Sequence, residues 1–237
     1  VHAVKLTDAV VFVTGANRGI GLAFARAALE RGARKVYAAA RDPQSVTLAG
    51  VTPIALDVTD EAAVQAAAVR CGDVTLVVNN AGIAQFGGFF AEHAVAEARK
   101  HLEVNFFGPL FVARAFAPIL AANGGGALIN VLSIASWINR PMLAVYGASK
   151  SAAWGLTNAL RNELREQKTQ VLGVHMGFVD TDLTRGIDLP KMSSDELVRQ
   201  AFDGLEAGAE EVLGDDNTRR VHRGLSADTP SYLAPPG

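Results

Sequence analysis

Val10-Val11-Phe12-Val13-Thr14-Gly15-Ala16-Asn17-Arg18-Gly19-Ile20-Gly21 is the stretch that decides the fold. The four apolar residues at its start read as a buried strand. The three glycines let the backbone turn sharply into a helix that begins at Gly19 and runs to about Arg31. A strand, turn and helix of this kind aim backbone N–H groups and the positive helix end at one point, which suits a pyrophosphate. A tight turn that holds nothing has the same local pattern. The spacing G-x-x-x-G-x-G is one residue longer in its first gap than the common dinucleotide fingerprint.

Outward from this unit the alternation continues. Strands are expected at Lys35–Ala40, 52–56, 74–79, 127–132 and 171–175. Helices are expected at 60–70, from about 95 to 121 and from about 145 to 167, the second stopped by Asn123-Gly124-Gly125-Gly126. Continuous apolar strands separated by helices imply an α/β fold, a doubly wound parallel sheet in a single domain over 1–237. The end over 230–237 is Pro-rich.

Bulk properties narrow the function. The 237 residues are 49% hydrophobic and 19% charged, enough for a large core and too apolar for a disordered chain. A net charge of -2 offers no basic footprint, so no nucleic-acid partner is expected. The single cysteine, Cys71, excludes an internal disulfide, fits a reducing compartment and lacks a neighbour that would activate it. His93, His101 and His175 lack metal-ligand spacing, so no metal is expected. No apolar run is read as approaching the roughly 18 residues of a bilayer span. The opening Val1-His2-Ala3-Val4-Lys5-Leu6-Thr7-Asp8 shows no signal-like apolar core. A cytoplasmic protein without a membrane partner is the expectation.

Tyr146-Gly147-Ala148-Ser149-Lys150 carries the chemistry, with Tyr146 and Lys150 standing 13 and 17 residues after Ser133. Four residues apart on a helix, Tyr146 and Lys150 share a face. A phenol with a pKa of about 10 needs lowering by roughly three units, about 4 kcal/mol, to act at neutral pH. A nearby cation is one means. Plainer roles exist for each residue. Ser133 can satisfy backbone groups at a strand end, Tyr146 can be a core aromatic, and Asn105 can mark a helix irregularity.

With Asp57-Val58, Asn79-Asn80-Ala81-Gly82 and Asn105 in order between these two runs, the chain over about 8–182 resembles the short-chain dehydrogenase/reductase family. The resemblance implies a Rossmann fold and hydride transfer between a nicotinamide dinucleotide and a small-molecule carbonyl or alcohol. It makes Tyr146 the general acid in reduction and the base in oxidation. Lys150 would tune it and hold the nicotinamide ribose, Ser133 would donate to the substrate oxygen, and Asn105 would hold a water linking Lys150 to solvent. Gly15, Asn17, Arg18, Gly19, Ile20 and Gly21 would cradle the cofactor. Asp57 would meet the adenine amino group and Val58 its ring. Asn80, Ala81, Gly82, Gly177, Val179 and Thr181 would line the cleft, and Asn79 would tie strands together.

NADP(H) is the expected cofactor. Ala40 stands at the strand end where NAD-specific members carry an acid, and Arg41 follows it. A guanidinium can grip a 2′-phosphate bidentately, and Arg18 offers a second cation. Asp42 is the counter-indication, because a shift of one or two residues would make it the acid that binds ribose.

Departures from the family pattern shape the rest. Met176 replaces the usual proline before Gly177, leaving that loop less fixed. A short lid over about 182–195 implies an open pocket, with Ile83, Ile134, Trp137, Leu143, Phe178 and Leu183 as its expected walls and no Arg or Lys obviously placed. Neutral ketones and aldehydes are the expected substrates. A 3-oxoacyl-carrier-protein or polyketide ketoreductase is the alternative, and a non-catalytic NADP-binding sensor or scaffold another. After Glu211-Val212-Leu213-Gly214-Asp215 no Asp-Gly-Gly tail follows. A homodimer is therefore expected, built on the helices around 95–121 and 145–167, with a tetramer as the lesser alternative.

Overall fold

The computed structural model describes residues 4–233. The opening residues Val1-His2-Ala3 and the last four residues of the Pro-rich end lie outside the described residues. Seven parallel strands form one sheet: β1 Val10–Thr14, β2 Lys35–Ala40, β3 Thr52–Ala55, β4 Leu76–Asn79, β5 Gly126–Val131, β6 Thr169–His175 and β7 Glu211–Leu213. Their order is β3-β2-β1-β4-β5-β6-β7, so the chain reverses direction across the sheet between β1 and β4. Such a switch point opens a crevice at the strands' carboxyl ends.

The helices α1 Gly19–Glu30, α2 Glu61–Arg70, α3 Ala94–Leu102, α4 Gly108–Ala122, α5 Ala144–Glu163, α6 Ser194–Glu206 and α7 Asp216–Arg223 cover the faces and one edge. Continuous apolar strands are explained by burial on both sides. Val11, Val13 and Leu76 face a core with Phe24 and Phe202, while Phe12, Val77 and Leu128 face another with Phe116. Each fully buried side chain of this size contributes about 1.5–3 kcal/mol relative to exposure. Asp60 caps α2 through Ala63 N at 3.0 Å, so the helix begins at Glu61, one residue later than expected.

The helix expected over 95–121 is interrupted. Glu103–Phe107 form a π turn between α3 and α4, centred on the buried Asn105. Inserted turns of this kind cluster at functional sites. The continuous run Ala94–Ala122 has 29 residues and is by length and composition apolar enough to cross a bilayer, contrary to the reading that no run comes near. Here Val112, Phe116 and Leu120 of this run are buried under the sheet.

Candidate active site

The carboxyl ends of β1, β2, β4, β5 and β6 open into one cleft of about 2260 Å³. Its floor is set by Thr14. The Thr14 hydroxyl accepts from the backbone N–H groups of Asn80 and Ala81, each at 3.0 Å. The Asn80 amide donates back to the carbonyls of Thr14 at 2.9 Å and Gly15 at 3.2 Å. The glycine turn is thereby clamped to β4. Gly15 has a φ of 65°, and a Cβ at Gly21 would lie 2.2 Å from the Gly15 carbonyl oxygen. Only glycine fits there, which keeps the start of α1 close against the turn. That open cradle at a helix N-terminus fits a dinucleotide pyrophosphate.

Asn17, Arg18, Gly19 and Ile20 line the cleft with Gly15, as do Asp57, Val58, Asn80, Ala81 and Gly82. Gly21 does not line it and acts through packing. Asp57 accepts from Thr59 N at 3.0 Å and Thr59 Oγ1 at 2.8 Å, and these bonds hold its carboxyl below the usual range. β2 ends at Ala40, so Arg41 is the first residue beyond it, exposed and in the cleft. The Asp42 carboxylate instead caps the next turn through Gln44 N at 2.9 Å. Arg18 lies 3.7 Å from Asp182, across the cleft mouth.

Ser133, Tyr146 and Lys150 converge on the opposite wall. Ser133 Oγ accepts from Ala135 N at 3.1 Å and hydrogen-bonds the Tyr146 phenol. Ser133 thus satisfies a backbone group at the strand end and stands beside the phenol in the cleft wall. Lys150 is buried, donates to the Val131 carbonyl at 2.9 Å and lies 5.9 Å from the Tyr146 ring centre. Burial lowers the Lys150 pKa to about 8. The expected lowering of the phenol by Lys150 is not what the protein groups produce: burial pushes Tyr146 up, and its bond with Ser133 works the other way.

Asn105 does not line the cleft. Its amide oxygen accepts from Ile83 N at 2.9 Å, and its amide nitrogen donates to Ile83 O and Ser149 Oγ, both at 2.9 Å. Ser149 Oγ in turn donates to the Tyr146 carbonyl at 2.7 Å. The side chain is therefore occupied in joining the cleft wall to the turn that carries Tyr146. Asn79 donates to Asn130 at 2.9 Å, tying β4 to β5.

Gly177, Val179 and Thr181 line the far end, and Met176 is buried with its carbonyl accepting from Ile134 N at 2.8 Å. Gly177 N donates to Asp215 at 2.7 Å, so the loop is pinned without proline. Ile83, Ile134, Leu143, Phe178 and Leu183 line the pocket, but Trp137 does not. Trp137 is buried against the far side, stacked 4.0 Å from His175, because the short turn after Ser133 rotates it away. Ile138, Met142 and Ile187 stand in the wall instead. The expectation that no cation would be placed there also fails, since Lys100, Arg140, Arg185 and Lys191 line the cleft. They come from three separate segments, which linear spacing does not reveal. Arg185 pairs with Asp182, and Lys191 donates to Thr184 O at 2.9 Å.

Cys71 is free and buried, with its thiol pushed up to about 11 by burial. Among the described residues no group of three or more His, Cys, Asp or Glu could hold a metal ion.

The short chain dehydrogenase family model matches residues 9–191. The chain belongs to the short-chain dehydrogenase/reductase family, as an oxidoreductase using a nicotinamide dinucleotide. A solved short chain dehydrogenase from Burkholderia cenocepacia, in complex with NADP, is 39% identical, covers 98% of this chain and 100% of its own, and superposes with a TM-score of 0.92. The 3-ketoacyl-(acyl-carrier-protein) reductase from Brucella melitensis, complexed with NADH, is 27% identical over 88% of this chain and 98% of that one, with a TM-score of 0.80. Galactitol 2-dehydrogenase (L-tagatose-forming) from Cereibacter sphaeroides is 38% identical over 191 residues, 76% of this chain and 75% of that protein. The match spans only part of some curated relatives, 56% of an uncharacterized oxidoreductase of Schizosaccharomyces pombe that is 32% identical over 68% of this chain.

Proposed function

We propose that the protein is an NADPH-dependent carbonyl reductase that converts neutral ketones or aldehydes to alcohols, reversibly. The observation that carries this reading is the convergence of Ser133, Tyr146 and Lys150 on one wall of a cleft whose opposite wall is the glycine cradle. A bound nicotinamide dinucleotide supplies the hydride to the carbonyl carbon and takes it back in the reverse direction. Ala135 N–H occupies a lone pair of Ser133, which leaves the hydroxyl proton free to be donated to the substrate oxygen. Tyr146 delivers its proton to the same oxygen. Lys150, pulled down to about 8, gives and regains a proton easily near neutral pH, as a relay behind the phenol requires. Because both Asn105 amide N–H groups are committed, a water linking Lys150 to solvent would rest on the second lone pair of its oxygen or on the backbone of the π turn. NADP selectivity is supported by Arg41 at the end of β2 and by the turning of Asp42 into a cap.

The apolar walls Ile83, Ile134 and Phe178 near the polar trio favour neutral substrates. The basic rim of Lys100, Arg140 and Lys191 keeps the carrier-protein ketoreductase as a second reading. Retention of Tyr146 and Lys150 argues against a sensor. Absorbance of NADPH or NADH with a panel of ketones, aldehydes and 3-oxoacyl thioesters separates these readings. Turnover with NADPH and simple ketones supports the first, turnover confined to thioesters the second, and none at all a binding role.

A cytoplasmic homodimer is the proposed state. Phe107 and Phe111 of the π turn and α4 stack partly exposed, and Ala148 and Ala152 of α5 are half-buried. A Cβ at Gly155 would meet nothing within 4 Å, so packing on its own sheet does not require glycine there. Close approach of a second copy does. Light scattering at micromolar concentration should give twice 24.9 kDa, and Gly155→Glu should return the monomer. A wild-type monomer rejects this interface, and a mass of four chains shows that the altered tail is no obstacle.

A further inference from the structure

Ser133 is held from behind as well as from the cleft. His175, the last residue of β6, has no exposed surface, and its Nδ1 lies 3.3 Å from the Ser133 carbonyl oxygen. A carbonyl only accepts, so the ring nitrogen is the donor. Three other elements fix the ring. Trp137 stacks on it at 4.0 Å with 21° between the planes, and Trp154 of α5 meets Trp137 edge-on at 6.4 Å. Glu211 of β7 packs 3.7 Å from Nε2, which makes no hydrogen bond among the described residues. That carboxylate is itself steadied by Arg161 of α5 at 3.5 Å and His222 of α7 at 3.4 Å. Glu211 sits at about 2 and is ionised throughout the neutral range, whereas burial lowers the His175 pKa and keeps its ring neutral, so Nε2 carries no proton when Nδ1 donates. A buried imidazole between a carbonyl and a carboxylate is costly unless it fixes something. What it touches is the backbone of the residue whose hydroxyl meets Tyr146.

We infer that His175, wedged in place by Trp137, is a positioning residue for Ser133, its Nδ1–H holding the Ser133 peptide so that the hydroxyl points into the cleft. This rests on the role proposed above for Ser133.

The test compares His175→Asn with His175→Gln, since an Asn amide sits near the place of Nδ1 and a Gln amide near that of Nε2. With NADPH and the fastest ketone of the panel, His175→Asn should keep kcat within about twofold. His175→Gln should lower it about five- to tenfold, the worth of one neutral hydrogen bond, with the NADPH KM unchanged. Equal kcat in the two variants, high or low, overturns the inference, because packing alone does not distinguish them. If neither variant folds, Trp137→Phe decides, because the smaller ring loosens the stack that holds the imidazole in place. A kcat fall of about two- to fivefold with an unmoved NADPH KM supports the strut, and an unchanged kcat overturns it. A double-mutant cycle separates this from the reading beneath it. If Ser133→Ala leaves turnover intact, the role of Ser133 fails. If Ser133→Ala impairs turnover and His175→Gln multiplies that loss, His175 does not act through Ser133.

Discussion

The two walls of the cleft are held by different kinds of force. On the cradle side, Thr14, Asn80 and the glycine turn are locked by part-buried hydrogen bonds of 2.9–3.2 Å. On the lid side, residues 182–191 are anchored at their start by the Thr184 hydroxyl on the Val179 carbonyl at 2.6 Å and at their end by Lys191 on the Thr184 carbonyl. The side-chain pair added to these, Arg185 with Asp182, is exposed. Leu183 and Leu189 stand more than half exposed there. Exposed pairs contribute about 0–1 kcal/mol, whereas breaking a buried polar clamp costs about 1–3 kcal/mol per orphaned group. The cradle is therefore rigid and the lid cheap to open. Rigidity sits where the ligand is always a dinucleotide, and softness where the substrate must enter and leave.

The largest expected effect lies between the two walls. Tyr146→Phe should leave NADPH binding nearly intact and lower turnover at least about a hundredfold, the usual worth of a general acid. Tryptophan or cofactor fluorescence gives the binding constant and steady-state rates give the loss. Near-normal turnover would move the chemistry elsewhere in the cleft.

Lys150, on the wall that faces the cradle, is buried at a cost. Its pKa falls from 10.5 to about 8 by burial. Below about 8 it is protonated in both states, and the burial penalty is fully present. As pH rises from about 8 to 10.5, the folded state sheds its proton first, the unfolded chain binds more protons, and stability rises. Lys150→Met should abolish turnover yet raise unfolding free energy at pH 7 by about 2 kcal/mol, once the lost bond to Val131 is allowed for. The gain should shrink toward zero by pH 10.5, read from denaturant curves. A destabilised variant at pH 7 would mean that Lys150 is comfortable where it lies.

These two walls also differ in how much of them the chain spells out. The strand, the turn at Gly15 and the start of α1 follow from local conformational demands within a dozen residues, so the cradle was legible. Tyr146 and Lys150 are four apart on one helix, again a local relation. The pocket was read less well, because Trp137 turns away on a three-residue turn and the basic rim gathers Lys100, Arg140 and Lys191 from distant segments. The break at Asn105 was legible only as the alternative of a helix irregularity, the polar residue being its one mark, since a π turn adds one residue without changing which side chains are apolar. His175 was set aside for want of metal spacing, while its partners Ser133, Trp137 and Glu211 meet it only through the sheet.

Arg41→Ala probes the rigid wall at its exposed corner. It should raise the KM for NADPH about ten- to a hundredfold and leave that for NADH nearly unchanged, as loss of a charge-assisted bond of about 1.5–3 kcal/mol requires. Equal effects on both cofactors would show that Arg41 does not read the phosphate.

The smallest effect joins the two walls directly. Arg18 belongs to the glycine turn and Asp182 to the lid, and they face each other at 3.7 Å with both side chains substantially exposed. A 2′-phosphate reaching Arg18 would compete with that carboxylate for the same guanidinium. Asp182→Asn removes the competitor and leaves the cation in place. The KM for NADPH should then fall about two- to threefold, within the 0–1 kcal/mol of an exposed pair. The KM for NADH should stay constant, because it carries no phosphate there. Screening supplies an internal control: in 1 M salt, where the Debye length is about 3 Å, wild type and variant should converge. An unchanged NADPH KM at low salt would mean that cradle and lid act independently, and an equal fall for NADH would mean that Asp182 governs opening of the lid rather than the hold on the phosphate.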